Sequence, residues 1–397
     1  MTRVFLIAGE ASGDVLGARL MAALRAQRED LVFSGIGGAR MAEAGLESIF
    51  PMQELAVMGL AEILPRIFAL KRRINQTIET IKATRPDIVV TIDSPGFCLR
   101  VLKGISGTGI PRIHYVAPQV WAWRQERVKH YPGLWDELLC LLPFEPAFFA
   151  PHGLNPVFVG HPVLESGANM GDAARFRAQH NMAPGAVPVV LMPGSRVTET
   201  SRLLPVFRQS MVELSARIAQ LQPVLAAAAG VAEAVAAQTR DWPVSPIIVR
   251  DVATRYDAFA AARAALTKSG TSTLELAMAG VPMAVTYRVN PLSAMLARRM
   301  IKVEHVAMIN LLAGRALVPE LLQQDCTPAK LSATLYGLIT GEAAAATQRA
   351  GFATALASLR APAGTPSSAA AARVLARLGT GGNQALSGHV IENAVSQ

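Results

Sequence analysis

"VFLIAGEASGDVLGARLMAAL" (residues 4–24) decides the fold: five apolar residues, a turn holding Gly9 and Gly13, then apolar residues at helical spacing. Strand, glycine-bearing turn and helix are how many α/β proteins begin, and such a turn commonly offers its amides to a phosphate. Here Glu10 and Asp14 flank the turn, and two carboxylates would repel a diphosphate. The expected ligand is therefore a hydroxyl-rich, less charged one, with Ser12 and Gly13 against a sugar. A second reading has Ser12 or Asp14 only capping a helix that starts near Val15.

The same alternation continues outward through "LVFSGIGG" (31–38), "DIVVTID" (87–93) and "RIHYVAP" (112–118), which predicts parallel strands joined by crossover helices. After "FVGHPV" (158–163) a polar, Gly- and Ala-containing stretch runs to about residue 185, and a second series follows: "VPVVLMPGSR" (187–196), "PVLAAAAG" (223–230), "SPIIVRD" (245–251), "AALTKSGTSTLELAMAG" (264–280) and "PMAVTYR" (282–288). The 397 residues exceed what one core usually organises. The expectation is α/β throughout, two Rossmann-like doubly wound parallel-sheet domains facing a cleft: 1–165, 166–345, C-terminal helices over 346–378 and a disordered tail from 379 to 397.

Composition narrows the class. Apolar residues make up 51% and charged residues 17%, so the chain is globular and greasy rather than disordered. The net charge of +9 favours anionic partners, but no nucleic-acid signature accompanies it, and nucleic acid is not expected. Cys98, Cys140 and Cys326 lack paired spacing, which points to neither a zinc site nor a disulfide framework. Nowhere do 18 uninterrupted apolar residues occur, so the expectation is a cytoplasmic protein, or one lying on a membrane without crossing it.

Ligands of open parallel sheets bind beyond the carboxyl ends of the strands. In "LMPGSR", Gly194 and Ser195 bring amides and Arg196 a guanidinium to one strand end, which suits a diphosphate; the plainer alternative is a turn with a solvated arginine. Lys268, Ser269, Gly270 and Thr271 repeat the logic before a helical run, or simply cap it. Glu275, one turn on, is a candidate acceptor for the ribose hydroxyls, with a solvated helix glutamate as the commoner alternative. Asp93 ends a strand and is the candidate general base, with a turn-forming Asp before Ser-Pro as its rival. Trp121, Trp123 and Arg124 follow another strand, packed or ligand-facing. His114 and His161 are singletons, and no Asp-x-Asp pair suggests a metal on the diphosphate.

"LAVMGLAEILPRIFALKRRI" (55–74) is interrupted by Pro65 and ends in Lys71, Arg72 and Arg73. With Met58, Leu60, Ile63, Leu64, Ile67 and Phe68 in the acyl boundary and the cations on headgroups, it fits a bilayer interface; a core helix with a basic end is the alternative.

Taken together, "AGEASGDVLGARL", "GIGGARMAEAGLES", "MGLAEILP", "YVAPQVWAWR", "LPFEPAFF", "FVGHPV", "LMPGSR", "SGTSTLELA" and "NLLAGRALVPELLQ" closely resemble the lipid-A-disaccharide synthase family, from residue 3 to about 376. The resemblance implies a GT-B glycosyltransferase that condenses a UDP-2,3-diacylglucosamine donor with a 2,3-diacylglucosamine 1-phosphate acceptor, giving a β-1,6 disaccharide 1-phosphate and UDP without a cofactor. It also implies importance for Ser12, Asp93, Arg196 and Asn310, with Asp93 as the base. Asn310 then joins the UDP-binding set, and Gly13, Trp123 and Arg124 the acceptor-binding set. A homodimer with exchanged C-terminal segments follows from it as well, and the 55–74 segment adds the expectation of peripheral association with the inner membrane. A UDP-sugar 2-epimerase of similar two-domain fold is the alternative. The chain departs from the family at Gly96 and Cys98, where an acid and an amide are frequent, and at Lys268, where a small residue is.

Overall fold

The computed structural model describes residues 1–55, 63–290 and 302–387. Seven parallel strands form the first sheet: β1 (Thr2–Ala8), β2 (Leu31–Ile36), β3 (Glu47–Ser48), β4 (Ile88–Ile92), β5 (Arg112–Tyr115), β6 (Glu137–Cys140) and β7 (Pro156–Phe158), in the order β3-β2-β1-β4-β5-β6-β7. Val4–Ala8 and Ile88–Ile92 are buried along their whole length, as a sheet covered by helices on both faces requires. The second sheet has six parallel strands: β8 (Val187–Met192), β9 (Leu221–Ala226), β10 (Ile247–Val249), β11 (Ala264–Lys268), β12 (Met283–Tyr287) and β13 (Glu320–Leu322), in the order β10-β9-β8-β11-β12-β13.

The helix Val197–Ser215 buries Leu203, Phe207, Met211 and Leu214 in one cluster with Val189, Leu191, Leu225 and Leu266. Each such side chain stabilises the unit by about 1.5–3 kcal/mol relative to exposure. In each sheet the strand order reverses once, beside β1 and β4 in the first and beside β8 and β11 in the second. Register places Ala8 opposite Ile92 and Met192 opposite Thr267, so the loops leaving these paired strands emerge side by side, at the places where such sheets hold ligands.

The chain divides into a first unit, Met1–Pro162 with Leu359–Gln397, and a second, Val163–Ser358. The C-terminal helices therefore do not form a group of their own. The helix Glu342–Ala357 belongs to the second unit, where Gln348 Oε1 accepts the Met283 N–H at 2.7 Å and its Nε2 donates to the Met283 carbonyl at 3.1 Å. The helix Pro366–Ser387 packs on the helix Ala11–Gln27 of the first unit, with Ala370, Ala371 and Val374 fully buried. It runs on to Ser387, past residue 379, the expected start of a disordered tail; residues 388–397 of that tail lie outside the described residues. Once a helix is nucleated, each added residue gains a hydrogen bond, and that carries it through weak formers such as Gly379 and Gly381.

Around the expected interfacial helix, a 3₁₀ turn covers Met52–Leu55 and a helix is described over Ile63–Thr84, with Pro65 in it. Met58 and Leu60 lie outside the described residues. Among the described residues no helix is long and apolar enough to cross a membrane.

Candidate functional site

At the switch point of the first sheet, the turn after β1 meets the turn after β4. Gly9 lies so close to Ser94 that a Cβ built on it would stand 2.6 Å from the Ser94 Cβ. Asp93 and Ser94 both adopt left-handed backbone, φ +50° and +45°, a conformation Asp tolerates better than most residues. The Asp93 N–H donates to the Tyr115 carbonyl at 2.9 Å, which fixes the bend. Burial, and then the field of Glu10, raise the Asp93 carboxyl above its ordinary range, because both disfavour its ionised form.

The opening turn divides its labour differently from either sequence reading. The helix begins at Ala11, so Ser12 lies within its first turn, exposed and not acting as a cap. Asp14 faces inward at 5% exposure. Its carboxylate accepts the N–H groups of Gly38 (2.8 Å), Arg40 (3.0 Å) and Met41 (3.0 Å) and so caps the helix Ala39–Glu43. It is spent on structure and does not line a ligand mouth; Glu10 and Asp93 carry that charge. Gly13 is likewise buried, where a Cβ would stand 3.4 Å from the Ala8 Cβ and 3.5 Å from the Ile92 carbonyl. It allows the helix to approach the sheet, and its expected sugar contact meets a buried position.

The two tryptophans of "WAWR" part company. Trp121 is buried, and its indole Nε1 donates to Glu145 Oε1 at 3.1 Å, while Glu145 Oε2 accepts the Leu141 and Leu142 N–H groups. Burial lifts Glu145 to about 7 against the opposing effect of these donors. Trp123 is 43% exposed with the Arg124 guanidinium 4.7 Å above its ring. His114 is packing: its Nδ1 lies 2.8 Å from Thr91 Oγ1, its ring stacks on Trp135, and burial depresses it to about 3. Phe68, Lys71 and Arg72 are exposed. Arg73 is not free for headgroups, since it grips both Glu54 oxygens at 2.7 Å and lies over the Phe50 ring.

At the switch point of the second sheet the cationic turns converge. Lys268 Nζ and Arg196 Nη1 lie 3.1 and 3.7 Å from one carboxylate, Glu199. Glu199 Oε2 also accepts the N–H groups of Ser195 (3.1 Å) and Arg196 (3.4 Å). Of the two turn amides expected to hold a phosphate, that of Ser195 is thus already engaged, together with the neighbouring Arg196 amide. Gly194, at φ +113°, passes so near that a Cβ would stand 2.4 Å from Glu199 Oε2. Arg196 remains 72% exposed. Sequence reading missed Glu199, although a glutamate at the third position of a helix is the capping-box signal.

Beyond Lys268, the Ser269 hydroxyl donates to the Val306 carbonyl at 2.7 Å, Gly270 is half-buried and Thr271 exposed. Glu275 Oε1 takes hydrogen bonds from Tyr256 and Arg255 at 3.1 and 3.3 Å, so that oxygen is engaged before any ribose arrives. Asn310 is fully buried. Its Nδ2 donates to the Val318 carbonyl and Glu320 Oε1, and its Oδ1 accepts the N–H groups of Leu317 and Val318. Every hydrogen-bonding position of that amide is filled. Glu320 in turn accepts the Val306 and Ala307 N–H groups. Asn310 thereby braces the segment that Ser269 touches.

The family model described as lipid-A-disaccharide synthetase matches residues 4–374. A lipid-A-disaccharide synthase of Granulibacter bethesdensis is 57% identical over 387 residues, covering 95% of this chain and 98% of that relative. Among solved structures, a UDP-GlcNAc 2-epimerase from Neisseria meningitidis bound to UDP-GlcNAc superposes with a TM-score of 0.64 at 10% identity, covering 94% of this chain and 98% of the other. A spinosyn rhamnosyltransferase complexed with thymidine diphosphate gives 0.58 at 14% identity, covering 95% and 100%. These two likenesses show a shared GT-B fold and nothing of the chemistry, so the epimerase reading draws no support from them. With the family pattern running through both units and through nearly the whole length of its relatives, the chain belongs to the lipid-A-disaccharide synthetases, glycosyltransferases of lipid A biosynthesis.

Proposed function

We propose that the chain transfers 2,3-diacylglucosamine from its UDP donor to the 6-hydroxyl of 2,3-diacylglucosamine 1-phosphate. The observation that carries this reading is the unequal charge of the two switch points: carboxylates Glu10 and Asp93 at one, cations Arg196 and Lys268 at the other. The first suits a nucleophilic alcohol, the second a leaving diphosphate. Asp93 takes the proton from O6 as that oxygen bonds to the anomeric carbon; the bond to the diphosphate oxygen breaks, its electron pair leaves with UDP, and the centre inverts. Ser12, Trp123 and Arg124 border the acceptor side. Arg196, Lys268 and the 269–271 turn border the donor side, with Glu275 toward the ribose. Holding both sugars in one orientation supplies a large share of the rate.

Incubation of the purified protein with both diacylated sugars tests this. UDP and a new disaccharide 1-phosphate are expected in equal amounts. Conversion of the donor alone to an epimer, with no disaccharide, would favour the 2-epimerase instead.

The acceptor and donor both carry acyl chains, so we further infer peripheral binding to an anionic monolayer through the start of the helix Ile63–Thr84. Phe68 is 71% exposed there with Lys71 and Arg72 beside it, and each cation near such a surface is worth about 1 kcal/mol. Replacing Phe68, Lys71 and Arg72 by Ser is expected to weaken sedimentation with anionic vesicles roughly 30-fold or more. Equal sedimentation of variant and parent would refute the attachment.

A further inference from the structure

Glu199 has no part in the reaction as drawn above, yet it is the most heavily engaged carboxylate at the second switch point. Its side chain is 9% exposed and meets four donors: the N–H groups of Ser195 and Arg196, the Lys268 ammonium and the Arg196 guanidinium. The backbone is moulded to it, since only a glycine at 194 leaves it room. Its field reaches Tyr287, whose hydroxyl burial and then Glu199 hold above the usual range, and Lys268 lies 5.4 Å from that ring. A carboxylate so enclosed is a fixed part of the site.

We propose that Glu199 is a positioning residue that sets the charge of the diphosphate site: it claims the Ser195 and Arg196 amides and pins Lys268 beside Arg196, so that these three side chains together carry a net charge of +1, two cations against one anion. Nucleotide phosphates then bind through the outward-facing donors of Arg196 and Lys268 rather than through the Ser195 and Arg196 amides. The negative charge behind them keeps the grip on product UDP weak enough for release. This rests on the reading of the second unit as the nucleotide site.

The test is calorimetric titration of UDP into the full chain and its variants. Glu199→Gln keeps the amide cap, since Gln serves the same capping role as Glu, and removes only the charge. It is expected to bind UDP about tenfold more tightly at low salt, the gain fading toward about 1 M salt, where the screening length falls to about 3 Å. The thermal midpoint should stay that of the parent. Adding Lys268→Met should return the affinity toward the parental value. Glu199→Asp, which retains the charge, should bind no more tightly than the parent. UDP binding by Glu199→Gln that is unchanged or weaker overturns the proposal, as does tightening by Glu199→Asp equal to that by Glu199→Gln. If Arg196→Ala and Lys268→Met both leave UDP binding unchanged, the nucleotide-site reading itself fails; if both weaken it and Glu199→Gln does not tighten it, this inference alone fails.

Discussion

Asp93→Asn is expected to lower kcat by roughly 10²- to 10⁴-fold, the range for loss of a positioned general base, while UDP still binds to the second unit. Asn is the informative substitution because residue 93 holds φ +50°, and Asn is among the few residues that accept this conformation readily. The bend survives and only proton acceptance is lost. The carboxyl is held above its ordinary value by burial and by Glu10, which makes it a stronger base than an exposed Asp. It also places an acidic limb on kcat/KM, since only the ionised form accepts the proton. Glu10→Gln removes the second of these causes, so Asp93 ionises at lower pH and the limb moves toward acid. Disaccharide formation by Asp93→Asn at the parental rate, or a limb that stays put or moves toward alkali in Glu10→Gln, would remove Asp93 as the base.

A comparably large loss, of stability rather than rate, is expected at the other end of the chain. Arg373 donates to both Glu137 oxygens at 2.6 and 2.9 Å, and the Glu137 side chain is only 6% exposed while Arg373 is 43% exposed. Arg373→Ala leaves a buried carboxylate without its partner, and that stranded charge is expected to destabilise the first unit by about 3 kcal/mol. For a unit of this size the shift is roughly 6–12 °C in thermal midpoint. Pairing it with Glu137→Gln should recover much of the loss, because the stranded charge is then gone. Calorimetry showing a parental midpoint for Arg373→Ala would mean that the pair contributes little.

The sequence made the doubly wound architecture readable because its cues are local: apolar runs the length of a strand, turns rich in Gly and Ser, and helical periodicity between them. The strand-end rule then directed attention to the turns after residues 8, 92, 192 and 268, the four that meet at the two switch points. What sequence could not reveal were the partners. Asp14 looked like a ligand-facing acid until folding brought the amides of Gly38, Arg40 and Met41 to it. Asn310, assigned to UDP by resemblance alone, closes its donors and acceptors on Val318, Leu317 and Glu320. Glu199 and Lys268 are far apart along the chain, and only the pairing of β8 with β11 makes them neighbours. Distant hydrogen-bond partners leave no periodic trace, which is why a polar residue's type suggests chemistry more easily than its role.

The first unit borrows its last helix from beyond the second, and this bears on how the protein is made. A ribosome releases β1 to β7 early, but the segment that covers the helix Ala11–Gln27 and neutralises Glu137 emerges only after all of Val163–Ser358 has been translated. The nascent first unit must therefore wait with an apolar flank bare while the later-synthesised unit completes its own sheet, reversing the usual order in which N-terminal domains mature first.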